Sequence, residues 1–547
     1  MAQASVRCEE MRVPMRDGTL LAADLVTVDD GVARPALLVR TSYSRAASRA
    51  AEDPVGLAHL GWAVVIQDVR GRFDSEGEFD PFRQEGPDGA DTIAWCAAQP
   101  WCNGQVATWG ASYLGATQMR AALERPPALV AMSPWVTSGW QDDGWTYEGG
   151  ALQLGFVMPW AVMMAASNPR ATPAQLTKAV AAGGDWDRLY KRALGRHPAK
   201  ALFPPFAAWI AADRDAHWAP AATTKALRRV ATPGFFVAGW FDIFCDASLR
   251  TWQTLRESAA TPQARAAQRI VVGPWTHAGL FQDATPEMMF GAAANGMAQD
   301  VRGEALRFLR SCVDGVQPEG GAKVFVMGAG EWREYDAWPP RSTPAEWYLD
   351  ATDGANSLRG DGVLRRDPGI PGRDSFVYDP RDPVPTRGGR TLGPFLPFPG
   401  PVDQRPVEAR DDVLVYTSAL LDRSITIVGD VTATIRFASS APSADVTVKL
   451  VDVHPDGRAM NVVDSVRRQS FTPGRPRNVT VVVGSTAIEF PKGHRIRVEV
   501  SSSNFPRLDR NPSRAEHWGD ATTLERATQT VVRGGARGSR ITLPVVG

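Results

Sequence analysis

Apolar and polar positions alternate from Met11 to Val26, MRVPMRDGTLLAADLV, about the dipeptide Asp17-Gly18. A period of two across an Asp-Gly turn predicts an antiparallel hairpin, so the chain opens on a sheet edge. Three short apolar runs follow, ALLVR (36–40), AVVIQ (63–67) and VATW (106–109), separated by helix-compatible stretches such as DGADTIAWCAAQ (88–99). That alternation of strand and helix predicts a mostly parallel sheet covered on both faces.

Between about Ser138 and Ala226 the pattern changes to a Trp-, Ala- and Met-rich stretch of helical period, GWQDDGWTYEGGALQLGFVMPWAVMMAA and onward, which reads as a helical insertion. Sheet-like runs return at GFFVAG (234–239) and RIVVGP (269–274), and MAQDVRGEALRFLRSC (297–312) is the clearest helix. After about Pro340 the runs become short and β-branched, as in SITIVGDVTATIRFA, DVTVKLVDVH and HRIRVEVSSS, the pattern of an all-β sandwich. The Pro/Gly-rich stretch GRTLGPFLPFPGPV (389–402) reads as a long ordered loop rather than a domain linker. The resulting division is an α/β domain over 1–137 and 227–340, a helical cap over 138–226 and a C-terminal β domain over 341–547.

Length and charge narrow the function classes. A chain of 547 residues needs several cores. Sixty basic residues balance sixty acidic ones, so no net charge draws the chain onto nucleic acid or an anionic membrane, and a small neutral or mixed-charge partner is expected. The five cysteines form no C-x-x-C pair, which argues for reduced thiols and against a structural zinc site. The opening residues carry charge where a signal peptide is apolar, and no run of about 18 apolar residues occurs. The expectation is a cytoplasmic protein; a homodimer is left open.

The candidate chemistry starts at TWGASYLGATQ (108–118), which nearly matches the G-x-S-x-G nucleophile elbow but carries its second glycine one residue late. Ser112 lies between an apolar strand and a helical stretch, so it is either a nucleophile or a helix cap. A serine nucleophile needs a base, and the base needs an acid. Of seven histidines only His277 follows a sheet strand of the first domain, in RIVVGPWTH. Asp242 closes the strand GFFVAGWFD, giving the order Ser, Asp, His of α/β-hydrolases. Asp246 is the competing acid, read instead as the cap of the following helix. The charge-dense RGRFDSEGE segment (70–78) reads as a loop held by internal ion pairs.

With these segments placed, the chain resembles the cocaine esterase and X-prolyl dipeptidyl aminopeptidase-like hydrolases over nearly its whole length. The motifs that carry the resemblance are QDVRGRFDSEGEF (67–79), DTIAWCAAQPWCNGQVATWGASYLG (91–115), AGWFDIF (238–244), VVGPWTH (271–277), FVMGAGEWREYDAWP (325–339) and FPKGHRIRVEVSSSNFPRLDRNP (490–512). The family elbow is G-x-S-Y-x-G, so the late glycine is a family trait. The resemblance implies an α/β-hydrolase domain with an inserted helical cap and a C-terminal jelly roll, and a Ser112, Asp242, His277 triad. It also implies an oxyanion hole made by the backbone N–H of Tyr113 and the phenol of Tyr43, and an acyl pocket walled by Trp145, Trp160 and Phe244. No cofactor or metal is implied.

The function expected from this is a serine esterase acting on a bulky or aromatic acyl group. The rivals are an amide or peptide hydrolase or an acyltransferase using the same triad, and a non-catalytic binding protein using the jelly roll. The related α-amino acid ester hydrolases carry acidic residues just after the catalytic aspartate, whereas this chain has Ile243, Phe244 and Cys245, which argues against an obligate α-amino substrate.

Overall fold

The computed structural model of the chain describes residues 5–168, 171–183, 191–218, 224–393, 396–535 and 537–547. Parts of the expected cap (169–170, 184–190 and 219–223) and two residues of the Pro/Gly-rich stretch (394–395) lie outside the described residues.

Ten strands make the first sheet: β1 (Val6–Pro14), β2 (Leu20–Val28), β3 (Arg34–Thr41), β4 (Ala63–Asp68), β5 (Cys102–Ala111), β6 (Leu129–Trp135), β7 (Gly234–Phe241), β8 (Gln268–Thr276), β9 (Gly321–Val326) and β10 (Glu331–Tyr335). Their spatial order is β1-β2-β4-β3-β5-β6-β7-β8-β9-β10. β1 and β2 form the expected antiparallel hairpin, with Gly18 at φ 85° in its turn. From β4 through β9 every pairing is parallel.

Helices α1 (Glu85–Ala97), α2 (Tyr113–Leu123), α3 (Leu154–Ala166), α4 (Cys245–Ser258) and α5 (Val301–Val313) punctuate this sheet. Leu38, Val65 and Phe236 share a core with α1, α2 and α4, while their neighbours Leu37, Val64 and Phe235 share the opposite core with α5. Because both faces are covered, successive residues of one strand must all be apolar, which is why these strands read as unbroken apolar runs. α3, LGFVMPWAVMMAA, is apolar nearly all round and is buried to match, in an aromatic cluster over one end of the sheet. Among the described residues no helix is long and apolar enough to cross a membrane.

Eleven strands between Thr343 and Val545 form the second, all-β sheet system. It is tied to the first domain by hydrogen bonds rather than by a linker. Met327, just past β9, exchanges backbone bonds with Ala487 and Glu489. Arg390, in the Pro/Gly-rich stretch, donates to Trp240 O (3.0 Å), Ser485 O (2.7 Å) and Asp246 Oδ2 (2.5 Å). The described part of that stretch holds no helix or strand and closes on itself through a Gly389–Gly400 bridge. Arg507 grips Glu148 through two bonds of 3.0 Å, and Asp509 accepts the Leu152 N–H at 2.7 Å, so the β domain also fixes the chain that enters α3.

Candidate active site

Ser112 stands where β5 hands over to α2, at φ 60° and ψ −121°. This is strained backbone for a residue with a side chain, and it is held from both sides. The Ser112 N–H donates to Trp135 O (2.9 Å), and its carbonyl accepts from Gly115 and Ala116 (2.9 and 3.0 Å). The side chain makes no capping bond to the helix. The start of α2 is therefore built by backbone alone, and the Ser112 hydroxyl is left for other work.

The flanking glycines explain the late position of the second one. A Cβ on Gly110, at φ 135°, would lie 2.6 Å from Leu114 Cβ, so Leu114 fills the space above that residue. A Cβ on Gly115 would lie 2.7 Å from Thr137 Cγ2 and 3.2 Å from Trp135 O. The closest approach of α2 to the neighbouring β6 edge is thus one residue further along than in G-x-S-x-G.

Asp242 and His277 meet through register. β7 and β8 are parallel with Phe241 opposite Thr276, so the next residue of each strand is Asp242 on one and His277 on the other. Glycines let these ends converge, since a Cβ on Gly239 would lie 2.3 Å from Trp275 O. His277 Nδ1 lies 2.5 Å from Asp242 Oδ2, and His277 Nε2 lies 3.0 Å from Ser112 Oγ. Asp242 is fully buried, and its other oxygen accepts the Phe244 N–H at 2.8 Å. A carboxylate only accepts, so the imidazole proton sits on Nδ1 and Nε2 is free to accept from Ser112.

Tyr43 follows β3 at the same edge of the sheet. Its phenol oxygen accepts from Trp160 Nε1 at 3.1 Å, with the side chains of Ser42 and Ser112 beside it. Indole N–H is only a donor, so the tyrosine oxygen is engaged as an acceptor and its own hydrogen points elsewhere. Burial raises the Tyr43 pKa, which keeps that hydrogen in place. Tyr113 divides its roles differently. Its phenol donates to Glu85 Oε1 (2.8 Å) and accepts from Phe82 N (3.3 Å), so its ring is structural, whereas its N–H is at the first helical position and has no intrahelical acceptor.

Trp145, Trp160 and Phe244 come together around this group. Phe244 meets the His277 ring edge-on at 5.4 Å, Trp145 stacks on Phe244 at 4.3 Å, and Trp160 stacks on Tyr113 at 5.9 Å. Phe79 and Phe203, both against Trp160, also line a cavity of about 720 Å³ with Arg72, Met164, Leu202 and His217.

Two expectations are corrected. Asp246 does not cap α4. The N-cap residue is Phe244, and the Asp246 carboxylate takes Arg390 and the Ser485 N–H (2.8 Å), joining the two domains. The 70–78 segment is held by ion pairs, but they run outward rather than within it: Arg70 reaches Asp17 and Asp88 (both 2.7 Å), and Asp74 takes Arg45 (2.6 Å). Arg72, read with this segment as a member of its internal ion pairs, does something else. It is buried, has no carboxylate within ion-pair distance among the described residues, and donates to Ser42 O, Met164 O and Ser167 Oγ (3.0, 3.1 and 2.6 Å). It thereby joins the residue before Tyr43 to the helix that carries Trp160.

A parallel sheet whose C-terminal edge presents a serine on a strained strand-to-helix turn, beside a histidine and a carboxylate from later strands, defines an α/β-hydrolase. Residues 17–279 match the family model of the X-Pro dipeptidyl-peptidase (S15 family), and 314–542 that of the X-Pro dipeptidyl-peptidase C-terminal non-catalytic domain. The cocaine esterase of Rhodococcus sp. (strain MB1 Bresler) is 34% identical, with 98% of this chain and 97% of the relative covered. A solved α-amino acid ester hydrolase superposes with a TM-score of 0.82 at 25% identity, covering 100% of this chain and 97% of that one. An aminopeptidase from a marine-sediment Thaumarchaeota archaeon shares the fold, with a TM-score of 0.80 at 24% identity and coverage of 100% and 97%. The chain belongs to the cocaine esterase/X-Pro dipeptidyl-peptidase-like family.

Proposed function

We propose that the chain is a serine carboxylic-ester hydrolase that works through an acyl-enzyme. His277 Nε2 accepts the Ser112 hydroxyl proton as Oγ attacks the acyl carbonyl, and Asp242 holds the imidazolium that results. The carbonyl oxygen becomes an oxyanion between the Tyr43 phenol and the Tyr113 N–H. The imidazolium then gives its proton to the departing alkoxide, which leaves as the alcohol. Water repeats the sequence: His277 takes one proton, the hydroxyl attacks the acyl carbon, and Ser112 is restored as the acid departs.

The observation that carries this reading is the continuous contact from Ser112 through His277 to Asp242, at 3.0 and 2.5 Å, with the serine hydroxyl unused by the helix. The relatives named as cocaine esterase and α-amino acid ester hydrolase both support an ester as substrate. Phe244 against the imidazole, with Trp145 and Trp160 behind it, supports a bulky or aromatic acyl group. Amide hydrolysis by the same acyl-enzyme is the second reading, favoured by the family-model description.

A substrate series tests this: aromatic against small aliphatic acyl esters, with an X-Pro amide alongside, compared by kcat/KM. The ester reading predicts the highest values for aromatic esters. A preference for acetyl esters contradicts the aromatic pocket, and a faster X-Pro amide replaces the first reading by the second.

A further inference from the structure

The β domain holds a cluster that the hydrolytic reading does not use. Asp452 lies near the end of the strand Ser443–Val453 and His454 two residues on, so both side chains fall on one face of the sheet. The neighbouring strand Arg495–Ser501 runs antiparallel, with Asp452 opposite Ile496 and Val453 opposite Arg495. Continuing that register by one residue sets His494 opposite His454. An Asp-x-His on one strand end and a histidine on its partner thus bring three ligand-type groups together from positions about 40 apart in sequence.

The side chains meet as the register requires. His494 Nδ1 is 2.8 Å from Asp452 Oδ1, His454 Nε2 is 3.4 Å from Asp452 Oδ2, and all three donor atoms lie within 4.8 Å of one another. The imidazole centroids are 4.7 Å apart. Both histidines are fixed by reverse turns: His454 N–H bonds Arg458 O (2.8 Å), and His494 N–H bonds Pro491 O (3.1 Å). The carboxylate is 9% exposed, and the imidazoles 19% and 14%, so one side is open to water.

The geometry points to a binding site for a divalent transition cation of the zinc class, held by Asp452, His454 and His494. A tetrahedral ion at 2.0–2.1 Å from its ligands spaces them by about 3.4 Å. The His454–Asp452 separation already has that length, and it is too long for a good hydrogen bond. His494 Nδ1 faces the other carboxylate oxygen, Oδ1, at 2.8 Å, so a small rotation of the Asp452 carboxylate and the His494 ring is needed to set both nitrogens about one ion. Two imidazole nitrogens with one carboxylate favour zinc, cobalt or nickel, whereas magnesium and calcium want all-oxygen sets. Three protein ligands leave a fourth position on the exposed side for water. Bound there, the ion clips the 454–458 turn to the 491–494 turn and stabilises the folded β domain by linkage.

The test uses the full chain freed of metal with a chelator and titrated with Zn²⁺ by calorimetry and with Co²⁺ by visible absorption. About one equivalent should bind, with the intense d–d band of tetrahedral cobalt, and Zn²⁺ should raise Tm where Mg²⁺ and Ca²⁺ do not. His494→Ala and Asp452→Asn should each weaken binding by more than roughly 10–100-fold, the cost of losing even a partner outside the ligand set. His454→Ala removes a ligand whose side chain makes no close hydrogen bond, so it reports even if the other two variants fold poorly. His277→Ala removes the histidine of the Asp242 pair in the first domain and should leave binding unchanged. Absence of saturable binding, binding unaffected by His454→Ala, or binding lost in His277→Ala would each overturn the assignment.

Discussion

At Tyr43 one neighbouring donor decides what the phenol can do. Trp160 Nε1–H occupies an acceptor position of the oxygen and burial keeps the phenol protonated, which leaves its hydrogen to be donated. Tyr43→Phe should therefore lower kcat by roughly 10²–10³ with little change in Tm, the usual effect of deleting one oxyanion donor. Trp160→Phe keeps an aromatic side chain but removes the indole N–H together with the five-membered ring. It should cost about tenfold in kcat and nothing further when combined with Tyr43→Phe, since both act through one hydrogen. Steady-state kinetics on the two single variants and the double variant check this, and additive losses would separate the residues. The sequence made Tyr43 visible only by resemblance, because a tyrosine after a strand is otherwise a packing residue. Ser112, Asp242 and His277 were legible without it as candidates, each marked by its place at a strand end, with Ser112 open between nucleophile and helix cap until the resemblance joined the three.

The elbow is the element on which the geometry rests. Gly115 lies inside α2, where alanine is intrinsically better by up to about 1 kcal/mol. A Cβ there meets Thr137 Cγ2 at 2.7 Å and the Trp135 carbonyl at 3.2 Å, and overpacking of this kind costs about 1–3 kcal/mol. The clash outweighs the propensity, so Gly115→Ala should destabilise the protein in urea unfolding and reduce kcat by tilting α2; a stabilised variant would refute the packing argument. Strands β3, β4, β7 and β8 were legible because burial on both faces writes unbroken apolar runs. β6, LVAMSPW, was not, since its Ser133 and Pro134 interrupt the run; the Ser133 hydroxyl donates instead to Phe235 O at 3.1 Å. The pair β9–β10 lies next to the β-rich region in sequence, yet it extends the first sheet.

Across the whole molecule the β domain does more than cover one side. Arg390 bonds a carbonyl of β7, and Arg507 and Asp509 hold the segment between Trp145 and α3, so the aromatic wall and the strand before Asp242 are braced from the second domain. None of this long-range pairing has a local sequence signature, which is why Asp246 read as a cap. The β domain also carries a pH response. Burial, and then Glu499, push the Glu408 carboxyl up from 4.5 to about 8 against the pull of Arg497 and Lys449. A raised carboxyl favours its protonated form in the folded state, so its stabilising contribution is complete below pH 4.5 and is lost as the pH rises through about 8. Thermal melts over that window should show a steeper fall in Tm for the native chain than for Glu408→Gln, and parallel profiles would contradict the assignment. Whether Ser112 is the nucleophile of an acyl-enzyme is decided by intact-mass measurement after treatment with a fluorophosphonate. One covalent adduct is expected on the native chain, mapped to Ser112, with none on Ser112→Ala and strongly slowed labelling of His277→Ala; an unlabelled native chain, or an adduct that survives Ser112→Ala, would rule the acyl-enzyme out.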